Sequence, residues 1–300
     1  MNEHEQQVSD LQALTGGGQQ ALDRRTVLKG LTVGGFAMAA NPLLAQAITT
    51  PSTGLQEGRV LVPVDGDEIF AQRVRPVGVK NPPVILVVQE IFGIHAYIED
   101  VCRRLAQAGF YAIAPELFSR HGDPGQYGTA AEIIQNVVSK VPDSEVMSDL
   151  DRCVEFAAKE GANTQKLAIT GFCWGGRITW LYSAHNPAVK AGVAWYGRLV
   201  GPNNAMTPKH AVDIAANLKA PVLGLYGAED TGIPLDTVER MRAALKDAAP
   251  NNPNAAQSTI EVYPGAQHGF HADYRPTYNA AAAKQAYNQA LQFLRGRGLI

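Results

Sequence analysis

From Gly58 onward, short apolar runs alternate with segments whose apolar residues recur every three to four positions. The runs PVILVVQ, YAIAPEL, KLAITGF, AGVAWYG, PVLGLYG and STIEVYP are almost uninterrupted, as expected of strands covered on both faces. The segments between them predict helices over 96–107, 144–159, 176–183, 234–247 and 278–295. Ahead of this alternation, RVLVPV and EIFAQRVRP flank Asp65-Gly66-Asp67, a turn signal between two alternating runs, and predict an antiparallel hairpin. The whole pattern predicts an α/β fold with a mostly parallel central sheet of about 7–8 strands and helices on both faces. Two stretches, 119–128 and 201–208, carry neither period; each follows a strand, where it is placed to line a pocket.

Residues 1–47 follow another pattern. Arg24 and Arg25 precede an apolar Gly/Ala-rich segment and the small-residue triplet Ala45-Gln46-Ala47, an order that resembles a twin-arginine export signal. Cleavage is expected after Ala47, with 48–57 as a linker and 58–300 as one domain. The apolar part, 30–40, is well short of the roughly 20 residues of a spanning helix, and Pro42 follows it, so no stable membrane span is expected after cleavage. The signal implies the export machinery as a partner and a periplasmic or otherwise exported location. An amphipathic cytosolic arm is the alternative.

Composition narrows the function classes. A hydrophobic fraction of 46% with 18% charged residues describes a soluble globular chain. The net charge of −2, with no basic run interleaved with aromatics in the domain, argues against nucleic acid as a partner. Three cysteines occur, with no C-x-x-C pair and no Cys/His cluster at ligand spacing, so neither a disulfide framework nor a metal or other cofactor is expected. Cys102 and Cys153 lie in helical patterns and read as small apolar residues; a bridge between them is the alternative.

Cys173 is different. It is the centre of GFCWGG, directly behind the apolar run KLAIT, and matches the nucleophile elbow G-x-S-x-G with Cys in place of Ser. In an open α/β sheet, ligands bind beyond the carboxyl ends of the strands, and four chemically useful residues stand there: Glu90, Cys173, Asp230 and His268. Nucleophile, acid and histidine follow one another in the chain order of α/β-hydrolases. Glu229 and Asp236 compete with Asp230, and His271 with His268.

QEIFG at Gln89, PELFSR at Pro115, GFCWGG, WYG at Trp195, GAED at Gly227 and GAQHGF at Gly265 together resemble the dienelactone hydrolase family of α/β-hydrolases, over nearly all of the chain after the signal. The resemblance implies a Cys173–His268–Asp230 triad, Glu90 as a carboxylate that partners the resting thiol, and Arg120 and Tyr196 as substrate-binding residues. The family's second substrate-binding Arg falls soon after the triad His. Here those positions are His271, Ala272 and Asp273, with Arg275 slightly beyond.

A free thiol is mostly neutral near pH 7, and a helix N-terminus behind Cys173 together with His268 would favour the thiolate. That thiolate would attack a small activated ester or lactone. The backbone N–H groups of Trp174 and Ile91 would hold the oxyanion. A broader carboxylesterase or thioesterase is one alternative, and an exported thiol-bearing binding or redox protein without turnover is another.

Overall fold

The computed structural model describes residues 48–300; the expected export signal at 1–47 lies outside them. The predicted hairpin is present. Strand β1 (Leu55–Val64) pairs antiparallel with β2 (Asp67–Pro76), and Val64 sits opposite Asp67, so Asp65 and Gly66 alone make the turn. Gly66 has φ 79°, the left-handed conformation that such two-residue turns require. β1 begins three residues before the expected domain start at 58, within the segment read as a linker.

The remaining strands are β3 (Pro83–Val88), β4 (Tyr111–Pro115), β5 (Asn163–Phe172), β6 (Val189–Trp195), β7 (Val222–Gly227) and β8 (Thr259–Tyr263). They form one eight-stranded sheet in the order β1-β2-β4-β3-β5-β6-β7-β8. The hairpin joins antiparallel through β2 and β4, and every pairing from β4 to β8 is parallel. The helices are α1 (Ala96–Gln107), α2 (Ala130–Asn136), α3 (Asp143–Lys159), α4 (Trp174–His185), α5 (Leu235–Ala248), α6 (Pro253–Ala256) and α7 (Ala280–Gly296). The 119–128 stretch contains a short 3-10 turn, and α2 has a Thr129–Glu132 capping box, a start signal in front of a stretch with too few apolar residues to show a helical period.

The parallel strands read as unbroken apolar runs because each feeds two cores. Val84, Leu86 and Val88 of β3 belong to the core shared with α3, α4 and α5, whereas Ile85 and Val87 belong to the core shared with α1 and α7. Burying both faces removes the polar half of the alternation, leaving the sheet's polar residues concentrated at its ends. Cys102 and Cys153 are buried free thiols in the two different cores, on opposite sides of the sheet, so no bridge joins them. Among the described residues no helix is long and apolar enough to cross a membrane.

Candidate active site

β5 ends at Phe172 and α4 begins at Trp174, which leaves Cys173 to make the turn alone, at φ 54° and ψ −113°. A residue with a Cβ is strained there, and such strain persists only where the surroundings over-determine it. They do. A Cβ on Gly171 would lie 2.2 Å from the Gly175 carbonyl oxygen, one on Gly175 would lie 2.4 Å from that of Val88, and one on Gly176 would lie 2.4 Å from that of Trp195. The glycines of GFCWGG thus let α4 seat directly on the ends of β3 and β6. Cys173 stands at the positive end of α4, where negative charge is favoured.

Asp230 and His268 reach the same end of the sheet from the loops after β7 and β8. Asp230 Oδ1 accepts the backbone N–H groups of Gly232 and Ile233, which aims the other oxygen at His268; Nδ1 donates to Oδ2 at 2.8 Å. This leaves Nε2 buried and without a hydrogen bond of full geometry, facing Cys173 across a looser contact. Burial opposes protonation of His268. The negative charges of Asp230 and Cys173 and their hydrogen bonds outweigh it and raise the pKa to about 10. An imidazolium fixed by a carboxylate and facing a cysteine is the pairing that a thiolate nucleophile would need. His271 is drawn elsewhere: its Nδ1 shares a 2.6 Å hydrogen bond with the Tyr97 hydroxyl, its ring packs on Phe172 and Trp195, and burial lowers its pKa to about 3.

Tyr196, expected at the substrate, is fully buried at φ 37° and sets its ring edge-on against His268, with centroids 5.1 Å apart. Ile91 and Trp174, expected at the oxyanion, pack in one apolar cluster between the β3 loop and the start of α4. The Trp174 amide, as the first of α4, is among those a helix leaves without an intrahelical acceptor.

Glu90 is completely buried, yet its pKa falls to about 2. Burial alone would raise it, but Arg275 Nη2 at 3.0 Å, His95 and the Tyr274 hydroxyl at 2.5 Å stabilise the carboxylate. Glu90 is therefore a locked anion in this state, rather than the thiol partner expected from sequence. Arg275 also stacks over Phe92, 5.1 Å from its centroid, and feels the charge of Cys173. Arg120 is the larger departure. Its guanidinium pairs with Asp149 at 2.5 Å and Glu145 at 3.0 Å on α3, and no contact among the described residues joins it to the Cys173 cluster. The basic side chain that interacts electrostatically with Cys173 is Arg275.

Glu116 completes the site and has no counterpart in the sequence expectations. Its Oε1 accepts from Gln89 Nε2 at 3.0 Å and its Oε2 from the Ile94 N–H at 2.8 Å, so one carboxyl group clamps both ends of the loop that carries Glu90 and Ile91. With no cation in its clamp, burial raises its pKa. Among the described residues no group of three or more His, Cys, Asp or Glu side chains is arranged to hold a metal ion.

A strained cysteine at an elbow, a histidine locked to a carboxylate and an eight-stranded sheet of this order define a hydrolase of the α/β type. The model of the dienelactone hydrolase family matches residues 70–297, and the chain belongs to that family. A Methylorubrum extorquens protein with the provisional name carboxymethylenebutenolidase is 52% identical over 295 residues, covering 97% of this chain and 98% of its own. An Escherichia coli K12 protein of the same provisional name is 48% identical over 265 residues, with coverages of 88% and 96%. The crystal structure of a provisionally assigned dienelactone hydrolase from Klebsiella pneumoniae superposes with a TM-score of 0.78 at 50% identity, covering 80% of this chain and 98% of that one.

Proposed function

We propose that this hydrolase opens a small activated ester or lactone that carries a carboxylate, of the kind the relatives' name carboxymethylenebutenolidase denotes, through a thioester on Cys173. The observation that carries the reading is the elbow cysteine facing a His268 whose other nitrogen is fixed by Asp230. Cys173 Sγ attacks the carbonyl carbon and the displaced π electrons move to oxygen, which the Trp174 and Ile91 amides receive. Collapse breaks the acyl C–O bond, and the departing oxygen takes a proton from the His268 imidazolium. A water molecule then gives a proton to His268 and attacks the thioester, releasing the acid and regenerating the thiolate. Asp230 keeps the tautomer and stabilises the imidazolium throughout.

We assign the substrate carboxylate to Arg275 rather than Arg120, because Arg275 holds Glu90 at 3.0 Å and interacts electrostatically with Cys173, whereas Arg120 is paired with Asp149 and Glu145. A carboxylate that shares Arg275 also loosens its hold on Glu90, which would then be free to serve the thiol. The twin-arginine signal makes this an exported enzyme in our reading. Initial rates on an enol-lactone carboxylate, a neutral lactone and p-nitrophenyl acetate test the assignment. Arg275→Gln should lower kcat/KM for the anionic lactone by about 100-fold, with a smaller loss on the neutral esters, and Arg120→Gln should spare that preference. Equal losses on all three substrates would remove Arg275 from carboxylate recognition.

A further inference from the structure

Residues 48–50 lie against a buried excess of negative charge. Asp100 on α1 and Asp273 after the triad histidine are 2% and 5% exposed. Arg104 bridges them, with Nε 2.6 Å from Asp100 Oδ2 and Nη2 2.6 Å from Asp273 Oδ2. Two carboxylates thus share one close guanidinium. Arg103 stands 3.9 Å from Asp100, but its close partner is Glu57 at 2.7 Å. Asp273 Oδ1 is buried without a hydrogen bond of full geometry, and burial keeps the pKa of this carboxyl raised against the pull of Arg104.

Residues 48–50 enter this place. The Thr50 N–H donates to Asp100 Oδ1 at 2.5 Å, and its hydroxyl donates to Oδ2 at 3.2 Å. The Ile48 N–H approaches the Asp273 carboxylate and favours its charged form. In the uncut chain that nitrogen is an amide, with one donor and no charge.

We propose that the Asp100–Asp273 pocket is the receiving site for a free α-ammonium at Ile48, created when an endopeptidase hydrolyses the Ala47–Ile48 bond. The proposal rests on reading 1–47 as a cleaved export signal. Water adds across the peptide bond, leaving a carboxylate on Ala47 and an amine on Ile48 that takes up a proton near neutral pH. The ammonium supplies three donors and a positive charge to the buried Asp273 carboxylate, where the amide offers one donor and no charge. Asp273 immediately precedes Tyr274 and Arg275, which hold Glu90, so docking of the new terminus also fastens a wall of the active site.

The test compares three chains by thermal melting: one beginning at Ile48 with a free amine, the same chain acetylated at that amine, and the full-length chain. The free-amine form should melt roughly 4 °C above the acetylated form, and this gap should largely vanish in Asp273→Asn. Should Asp273→Asn not fold, cyanate labelling serves instead: the Ile48 amine should react about tenfold more slowly than a peptide amine, since pairing with the carboxylates keeps it protonated. Equal melting temperatures and peptide-like reactivity would overturn the receiving site, whatever the processing. Mass spectrometry of the protein exported by cells separates the other premise: an N-terminus at Ile48 supports it, and any other start overturns the source of the ammonium.

Discussion

His268 and His271 stand three residues apart, each is 3% exposed, and their pKa values are pushed in opposite directions. The pKa of His268, between Asp230 and Cys173, is raised to about 10; that of His271, among Tyr97, Phe172 and Trp195, is lowered to about 3. Burial is common to both, so the partner decides. The carboxylates repeat the lesson. Glu90, beside Arg275, is driven down to about 2, whereas Glu116, held only by neutral donors, is pushed up. Function collects where a buried group has a charged partner.

Removing each histidine breaks the comparison most sharply. His268→Ala should lower kcat by about 10⁴-fold, as losses of triad histidines do, while His271→Phe should leave kcat within about tenfold and act on stability. Steady-state rates with thermal melts of both variants decide this. Comparable losses of activity would mean that the two rings share the chemistry.

Stability against pH sharpens it further. His268 has a raised folded pKa, so its contribution is fully present below the ordinary 6.5 and is lost as pH climbs towards about 10. His271 has a depressed one. The unfolded chain takes its proton first, and its contribution is lost as pH falls from 6.5 towards about 3. Each slope should amount to a few kcal/mol across its window and disappear in the matching variant, read by urea unfolding from about pH 4 to 10. Slopes of the same sign would contradict the assignment.

These contrasts also explain what could be read in advance. The elbow was legible because its glycines are demanded locally, by carbonyl oxygens at 2.2–2.4 Å from where a Cβ would sit. The acid and histidine candidates come from their order behind apolar runs, and His268 Nδ1 lies 2.8 Å from Asp230 Oδ2. Arg275 was visible only as an Arg out of place, because its partner Glu90 lies 185 residues away, and nothing in either neighbourhood announces the pairing. Arg120 was misread for the same reason: the Asp149 that claims it belongs to a helix whose polar face looks ordinary. Glu116 hid inside an apolar strand end, since a loop clamp leaves no periodic trace.

Glu116 gives the smallest test. Glu116→Gln exchanges a carboxyl without a cation for a neutral amide that keeps one acceptor, so it should cost about tenfold in kcat or less, with KM little changed, through loosening of the loop that carries Ile91. A loss as large as that of His268→Ala would give Glu116 a proton-transfer role that this geometry does not support.

The central claim is that Cys173 forms the acyl bond under the control of His268 and Asp230. Rapid quenching of the enzyme with p-nitrophenyl acetate, followed by peptide mass spectrometry, tests it directly. The account predicts a burst of one p-nitrophenolate per active chain and a single acetyl group on the Cys173 peptide, with both absent in Cys173→Ala. Acetyl on another residue, or turnover that survives Cys173→Ala, would contradict it.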